Sequence, residues 1–372
     1  MFNPDKFSRK ELMALPKTVH GGQGWKLESI EDYSHNLNPL GPPDDISELL
    51  AAAGTEVWHY PDDSCSELKE TISRVYGVKA ENITVGAGSS DIIRNFPNTF
   101  ISPGETAVIP NPSFAEYGHQ CHIAGADVKR LELSEKNNFR IDTSELSRYI
   151  PDVKAVYICN PNNPTGRIEP REKILSIAKE CLDSGTMLFL DETLLELVPG
   201  HEDISCVRYV NEFPNLVIAG SLTKSFAIPG IRIGFGFGSS DTIAEMEKVR
   251  MTWNVGHAEQ SIANTLIGER MDHVKRAAKL MAEESVDMNR KLSEIGFSTG
   301  DVSESFFYFR NMRHLNIKAS EVNTAMQKNG ISLRDCASFG SPYEWFVRYS
   351  VKDRECNDRF IEAAESVVKS LR

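Results

Sequence analysis

The stretch SLTKSFAIPGIRIGFG, residues 221–236, sets one amine, Lys224, beside the hydroxyls of Ser221 and Thr223 and eight residues before Arg232. Its Pro and Gly content reads as a loop. A lone lysine becomes a covalent catalyst by condensing with an aldehyde, and pyridoxal phosphate (PLP) is the usual partner. Such a site has further requirements. The phosphate needs hydroxyls, backbone N–H groups at a helix start and a cation. The pyridine nitrogen needs a carboxylate that keeps it protonated. The ring needs a flat surface to stack on.

Each requirement has a candidate. VGAGSSDII (85–93) reads as strand, glycine turn and helix, so Gly88, Ser89 and Ser90 offer N–H groups and hydroxyls at a helix start. Ser221 and Arg232 could complete that cradle. Asp191 closes the apolar run MLFLDE (187–192) and is the candidate carboxylate, although an Asp there also caps turns. In NPSFAEYG (111–118), Tyr117 is the candidate stacking ring, with core packing as the ordinary alternative. CNPNNPTG (159–166) is a turn by composition, and its Asn163 could hydrogen-bond the cofactor's phenolic oxygen.

These residues need elements to hold them. NITVGAG, TAVIP, AVYICN, MLFLDE and NLVIAGS read as buried strands. CSELKETISRVYG and REKILSIAKECLDSG read as amphipathic helices, the second ending on a glycine suited to a helix C-terminus. Their alternation from about residue 46 to 250 predicts an α/β fold with a mostly parallel sheet covered on both faces. The ligand site of such a sheet lies at the C-terminal ends of its strands, where the candidates sit. A linking helix is expected over 251–290. A smaller α+β domain is expected over 291–372, from SFFYFRN, GISLRDCA and WFVRYSV as strands and KASEVNTAMQKN and DRFIEAAESVVKSL as helices. Residues 1–45, rich in Gly, Pro and Asn, read as an arm serving the small domain and the site, ahead of a large domain over 46–250.

A chain of 372 residues with a net charge of −12 disfavours a broad nucleic-acid surface. No apolar run reaches the ~18 residues of a membrane span. The start MFNPDKFSRKELMALPK lacks a signal peptide's apolar core, so a cytoplasmic location is expected. Seven scattered cysteines, never spaced C-x-x-C, read as reduced thiols with no metal. No G-x-G-x-x-G opens the first strand–helix unit, which disfavours a dinucleotide dehydrogenase.

Taken together, the lysine stretch, the NPNNPTG turn and the strand-ending Asp191 resemble the fold-type I PLP enzymes, the aspartate aminotransferase superfamily, over essentially the whole chain. The resemblance implies that Lys224 carries the cofactor as a Schiff base, that Asp191 pairs with the pyridinium, that Asn163 contacts the ring oxygen and that Tyr117 stacks. Gly88, Ser89, Ser90, Ser221 and Arg232 would hold the phosphate. HYPDDSC (59–65) matches the family's YPD segment, which implies a homodimer with Tyr60 reaching the neighbouring subunit's cofactor.

Within the superfamily, HGGQG (20–24), SHNLNPLGPP (34–43), FAEYG and SLTKSFAIPGIRIG look most like the threonine-phosphate decarboxylases of cobalamin biosynthesis. That implies decarboxylation of O-phospho-L-threonine or O-phospho-L-serine to an aminoalkyl phosphate for the cobamide nucleotide loop. The alternative is a histidinol-phosphate or related aminotransferase. Aminotransferases of this group usually read Asp-Glu-Ala-Tyr where this chain reads DETL, so Leu194 replaces a tyrosine. Gly220 stands where relatives often carry arginine. On the substrate side, Arg334 and Arg348 would bind the two anionic groups, with His20, Gly21, Gly22, Asn36 and Asn163 completing the pocket. A non-enzymatic relative that keeps the fold as a binding module is a third reading, disfavoured by the complete set of lysine, aspartate, asparagine and arginine.

Overall fold

The computed structural model describes residues 7–13, 15 and 29–371. Twelve strands are numbered along them: β1 (Glu31–Asp32), β2 (Ile83–Gly86), β3 (Thr106–Asn111), β4 (Asp127–Glu132), β5 (Ala155–Cys159), β6 (Met187–Asp191), β7 (Leu216–Ser221), β8 (Gly234–Phe237), β9 (Phe307–Asn311), β10 (Ile331–Ser332), β11 (Arg334–Asp335) and β12 (Phe346–Ser350). Seven of them form one sheet in the order β2-β8-β7-β6-β5-β3-β4. Only β8 runs against its neighbours; the other pairings are parallel.

The five apolar runs become β2, β3, β5, β6 and β7, and every residue of β5 and β7 is buried. A strand covered on both faces is apolar throughout, so composition exposes it. The helix Arg171–Asp183 buries Ile174, Ile177, Ala178 and Cys181, one stripe at helical spacing. The expected glycine, Gly185, follows its end at φ 72°, a left-handed position where glycine carries no steric cost.

Two strands of this sheet were not expected. β4, sequence DVKRLE, is the sheet edge and buries only Leu131, so its charges protect an edge rather than mark a loop. β8, sequence GFGF, is short and glycine-rich, yet wholly buried. Its glycines admit neighbours: a Cβ on Gly234 would stand 2.3 Å from the backbone nitrogen of Ser89. The start of the helix Ser89–Phe100 is thereby laid directly on the strand.

A second sheet, β11-β12-β9, is antiparallel, and β1 pairs in parallel with β10. The N-terminal segment thus joins the C-terminal elements, as expected of an arm. The helix expected over 251–290 is corrected to two, His257–Glu269 and Met271–Glu294. The break falls at Arg270, whose backbone leaves the helical region (φ −122°, ψ 12°) and whose guanidinium reaches Asp45 at 2.8 Å. A long-range ion pair sets the break, so helical periodicity does not reveal it. Among the described residues, no helix is long and apolar enough to cross a membrane.

Candidate active site

β5 and β6 end level with one another, and β7 runs two residues further, to Ser221. Cys159 pairs with Asp191, and Asp191 with Ala219. A cavity of about 1090 Å³ opens at these strand ends, and Asn163, Asp191, Ser221 and Lys224 share its wall with Ser89 and Ser90.

Lys224 rides on a four-residue helix, Leu222–Ser225, that directly continues β7. So short a helix cannot hold itself. The Ser221 hydroxyl caps it by accepting the N–H of Thr223 at 3.2 Å. Its C-terminal carbonyls are met from the arm: Asn38 donates its N–H to the Lys224 carbonyl (3.0 Å) and its side-chain amide to the Ser225 carbonyl (2.8 Å). The Ser225 hydroxyl donates to Glu196 at 2.5 Å, and the Tyr76 hydroxyl reaches the same carboxylate. Sequence reasoning missed Asn38 and Glu196. Both act through partners distant in the chain, although the repeated Asn of NLNP was a signal for Asn38.

Burial, reinforced by the nearby charges of Arg348 and Arg232, pushes the Lys224 amine down to about 8. Only the unprotonated amine attacks an aldehyde, so the sign is set: protonation on lowering the pH blocks capture. The rate at which the apoprotein captures PLP is expected to rise with pH and level off above about 8. Stopped-flow absorption against pH checks this. A rise still continuing at pH 10 would show an ordinary exposed lysine.

Asp191 is buried, and burial drives its pKa up. Two donors work the other way: the Tyr117 hydroxyl to Oδ2 at 2.6 Å and the Thr193 N–H to Oδ1 at 2.9 Å. Tyr117 is 1 % exposed, with its ring stacked on Tyr157 at 5.6 Å and 28°. Its hydroxyl is committed to Asp191, so the geometry makes it a carboxylate partner rather than an open stacking face. Half-buried Phe114, at the start of the same helix (Ala115–Ala124), is a second aromatic ring on the cavity wall. It stands in the same NPSF segment, which was the available signal.

The opposite wall comes from the small sheet and the arm. Arg334 and Arg348 are direct cross-strand neighbours on β11 and β12. Buried Arg348 donates one terminal nitrogen to the Asn163 side-chain oxygen and the other to the Ser34 carbonyl. Burial lowers its pKa to about 10, which leaves it charged at neutral pH. Arg334 donates to the Ser338 hydroxyl at 2.8 Å. Asn36 is buried, and its side-chain oxygen has no partner among the described residues; the same holds for Nε of Arg348. Such groups are costly unless a ligand engages them.

Arg232 donates to the Pro229 carbonyl at 3.1 Å and lies over Gly88, where a Cβ would stand 2.5 Å from its Nη2. Gly88 has φ 83°, so glycine serves both the turn and the arginine's approach. The structure therefore gathers Ser89, Ser90, Asn163, Asp191, Ser221, Lys224, Arg232, Arg334, Arg348 and Asn36 about one cavity, with Gly88 beneath Arg232. Tyr60 is not on this chain's cavity; it is 73 % exposed and stacks on Trp253 at 4.2 Å. His20, Gly21 and Gly22 lie outside the described residues.

The profile of the family "Aminotransferase class I and II" matches residues 30–363. The chain belongs to the class I and II aminotransferase family. It is 30% identical over 365 residues to "Putative threonine-phosphate decarboxylase" of Caldanaerobacter subterraneus subsp. tengcongensis, covering 95% of each chain. Its fold is similar to the crystal structure of the histidinol-phosphate aminotransferase from Clostridium acetobutylicum (TM-score 0.83, 27% identity, 91% of this chain and 99% of that one). It is also similar in fold to the histidinol-phosphate aminotransferase from Sinorhizobium meliloti in complex with pyridoxal 5'-phosphate (TM-score 0.85, 20% identity, 98% of each chain).

As a class I and II aminotransferase family member, the chain is an enzyme whose cofactor is PLP. The residues present fit that group. A buried carboxylate on two donors suits a pyridinium partner. The helix start at Ser89, laid against Gly234 and flanked by Arg232, suits a phosphate. Two features depart from common family patterns. Leu194 is buried on the cavity wall where a tyrosine hydroxyl is usual. At Gly220 a Cβ would meet the Phe235 ring at 2.3 Å, so an arginine there requires that ring to move.

Proposed function

We propose that this enzyme decarboxylates an O-phosphoamino acid, O-phospho-L-threonine or O-phospho-L-serine, to the aminoalkyl phosphate used in a cobamide nucleotide loop. Leu194 carries the choice of reaction. Aminotransferases of this group place there a tyrosine whose hydroxyl touches the cofactor's ring oxygen; Leu194 removes that donor and leaves the space beside it apolar, which fits a reaction other than transamination. The 30% identity to "Putative threonine-phosphate decarboxylase" supports the same reading.

The residues take the following roles in this reading. Arg348, braced by Asn163, orients the substrate carboxylate, and Arg334 takes the phosphate. Asn36, with His20, Gly21 and Gly22 of the arm, completes that pocket. Ser89, Ser90, Ser221, Arg232 and the N–H groups after Gly88 hold the cofactor phosphate. Phe114 would offer the cofactor ring a stacking surface, and Asn163 would also serve its phenolic oxygen. Asp191, fixed by Tyr117, keeps a proton on the pyridine nitrogen. PLP, when bound, supplies the sink for the electron pair left at Cα. Lys224 returns a proton to Cα, from an amine already shifted toward neutral pH. Tyr60 serves the cavity of a second copy in a homodimer. Residues 46–250 form the cofactor domain, 251–290 the link, and 1–45 with 291–372 the substrate side.

The second reading, a histidinol-phosphate aminotransferase, is favoured by the 27% identity to the Clostridium acetobutylicum structure. The two separate in one experiment. The holoenzyme is incubated with O-phospho-L-threonine or O-phospho-L-serine without any 2-oxo acid, and CO2 and amine phosphate are followed. Sustained release of both is expected, and the two rates name the substrate. No CO2, but glutamate formed from histidinol phosphate and 2-oxoglutarate, overturns the proposal.

A further inference from the structure

His35 lines the cavity, has no part in the scheme above and is backed by a buried carboxylate. Asp32 closes β1 and is buried. Its Oδ1 accepts the N–H of Ser34 at 2.7 Å, and its Oδ2 lies 3.1 Å from Nδ1 of His35. The burial of Asp32 opposes its charge, but the bonds from His35 and Ser34 outweigh burial and hold it well below the usual carboxylate range. An anionic, fixed carboxylate therefore orients the imidazole. With Nδ1 engaged, Nε2 is the nitrogen left to serve the cavity that His35 lines, and it has no hydrogen-bond partner among the described residues.

The neighbours define what that nitrogen meets. The Ser34 carbonyl takes one arm of Arg348, and Asn36 turns an unpartnered oxygen on the same wall. Arg334 faces the cavity from the strand beside Arg348. One guanidinium fork satisfies the two oxygens of a carboxylate. A phosphate monoester has three terminal oxygens, so the fork of Arg334 leaves one to be met by donors beside it. An imidazolium donates from both nitrogens, so one ring can join a carboxylate behind it to an oxyanion before it.

We propose that His35, held by Asp32, donates to the third oxygen of the substrate's phosphate and sets the enzyme's preference for phosphorylated over unphosphorylated amino acids. This rests on the O-phosphoamino acid reading above. It adds a specificity-determining pair, Asp32 and His35, that takes no part in breaking the bond at Cα.

Binding to the holoenzyme, read by titration calorimetry, tests it. The probes are 1-amino-2-propyl phosphate and L-threonine, which lacks the phosphate. His35→Ala is expected to weaken the phosphate ligand by about 10- to 100-fold, the range for a hydrogen bond to a charged group, and to leave L-threonine unchanged. Asp32→Asn is expected to shift the same ligand in the same direction by less. Unaltered cofactor absorption and melting temperature establish that the variants are folded. Equal weakening of both ligands, or of neither, overturns the role of His35 while the substrate reading stands. If the wild type does not prefer the phosphate ligand, the substrate reading falls, and the role of His35 with it.

Discussion

Replacing Lys224 with alanine is expected to lower turnover by about 10⁴-fold or more, because the change removes the covalent anchor and the proton donor together. The structure indicates that this loss will be chemical rather than structural. The backbone of the lysine turn is held by groups the substitution leaves alone: the cap from Ser221, the two bonds from Asn38 and the Ser225–Glu196 contact. Lys224→Ala should therefore melt near the wild-type temperature and still bind PLP through the Ser89 and Arg232 region, but without the absorption of an amine-linked cofactor. Lys224→Arg separates charge from chemistry. It restores a cation beside Arg348 and Arg232, yet its guanidinium does not lose its proton in a protein and stays inert toward the aldehyde. Turnover by either variant above about a hundredth of the wild-type rate would remove Lys224 from the mechanism, since a single proton-transfer group is worth roughly 10²–10⁴.

How much of this was legible in the sequence differs by element, for physical reasons. β5, β6 and β7 are buried on both faces, so their apolar composition alone marks them, and the residues that end β6 and β7, Asp191 and Ser221, can be placed at the C-terminal end of the sheet without coordinates. β4 and β8 were invisible for opposite causes. β4 is charged because it is an edge, and β8 is nearly side-chain-free because the helix start at Ser89 must touch it. Asp191, Asn163, Lys224 and the Gly88–Ser90 turn were readable because each ends or follows an apolar strand. What fixes their orientation was not. The roles of Asn38 and Glu196 depend on hydrogen bonds that span many residues, and no local pattern records those. Tyr117 shows the limit within a single turn. The segment NPSFAEYG presents two aromatic rings, and only the helix beginning at Ala115 decides which one is turned inward onto Asp191.

Arg348 is where the two sheets meet the site, and its replacement carries the second large effect. The guanidinium bridges Asn163, on the turn after β5, and the Ser34 carbonyl of the arm, while its strand neighbour Arg334 serves the same cavity. Arg348→Gln keeps length and polarity but removes the charge and the fork. Losing one member of a buried, charged hydrogen-bond set costs about 2–5 kcal/mol, which corresponds to a fall in kcat/KM of roughly 30- to 5000-fold, expected chiefly in KM. Arg348→Lys should recover little, because a single ammonium cannot bridge Asn163 and Ser34 and still present a fork to a carboxylate. A ligand without the carboxylate reports on the assignment itself. 1-Amino-2-propyl phosphate should bind Arg348→Gln nearly as well as the wild type if Arg348 serves the carboxylate and Arg334 the phosphate. A variant that loses this phosphate ligand as severely as it loses the amino-acid substrate would exchange the two arginines' roles. The carboxylate would then be held by the guanidinium on β11, and Leu194 would have to be judged against that placement.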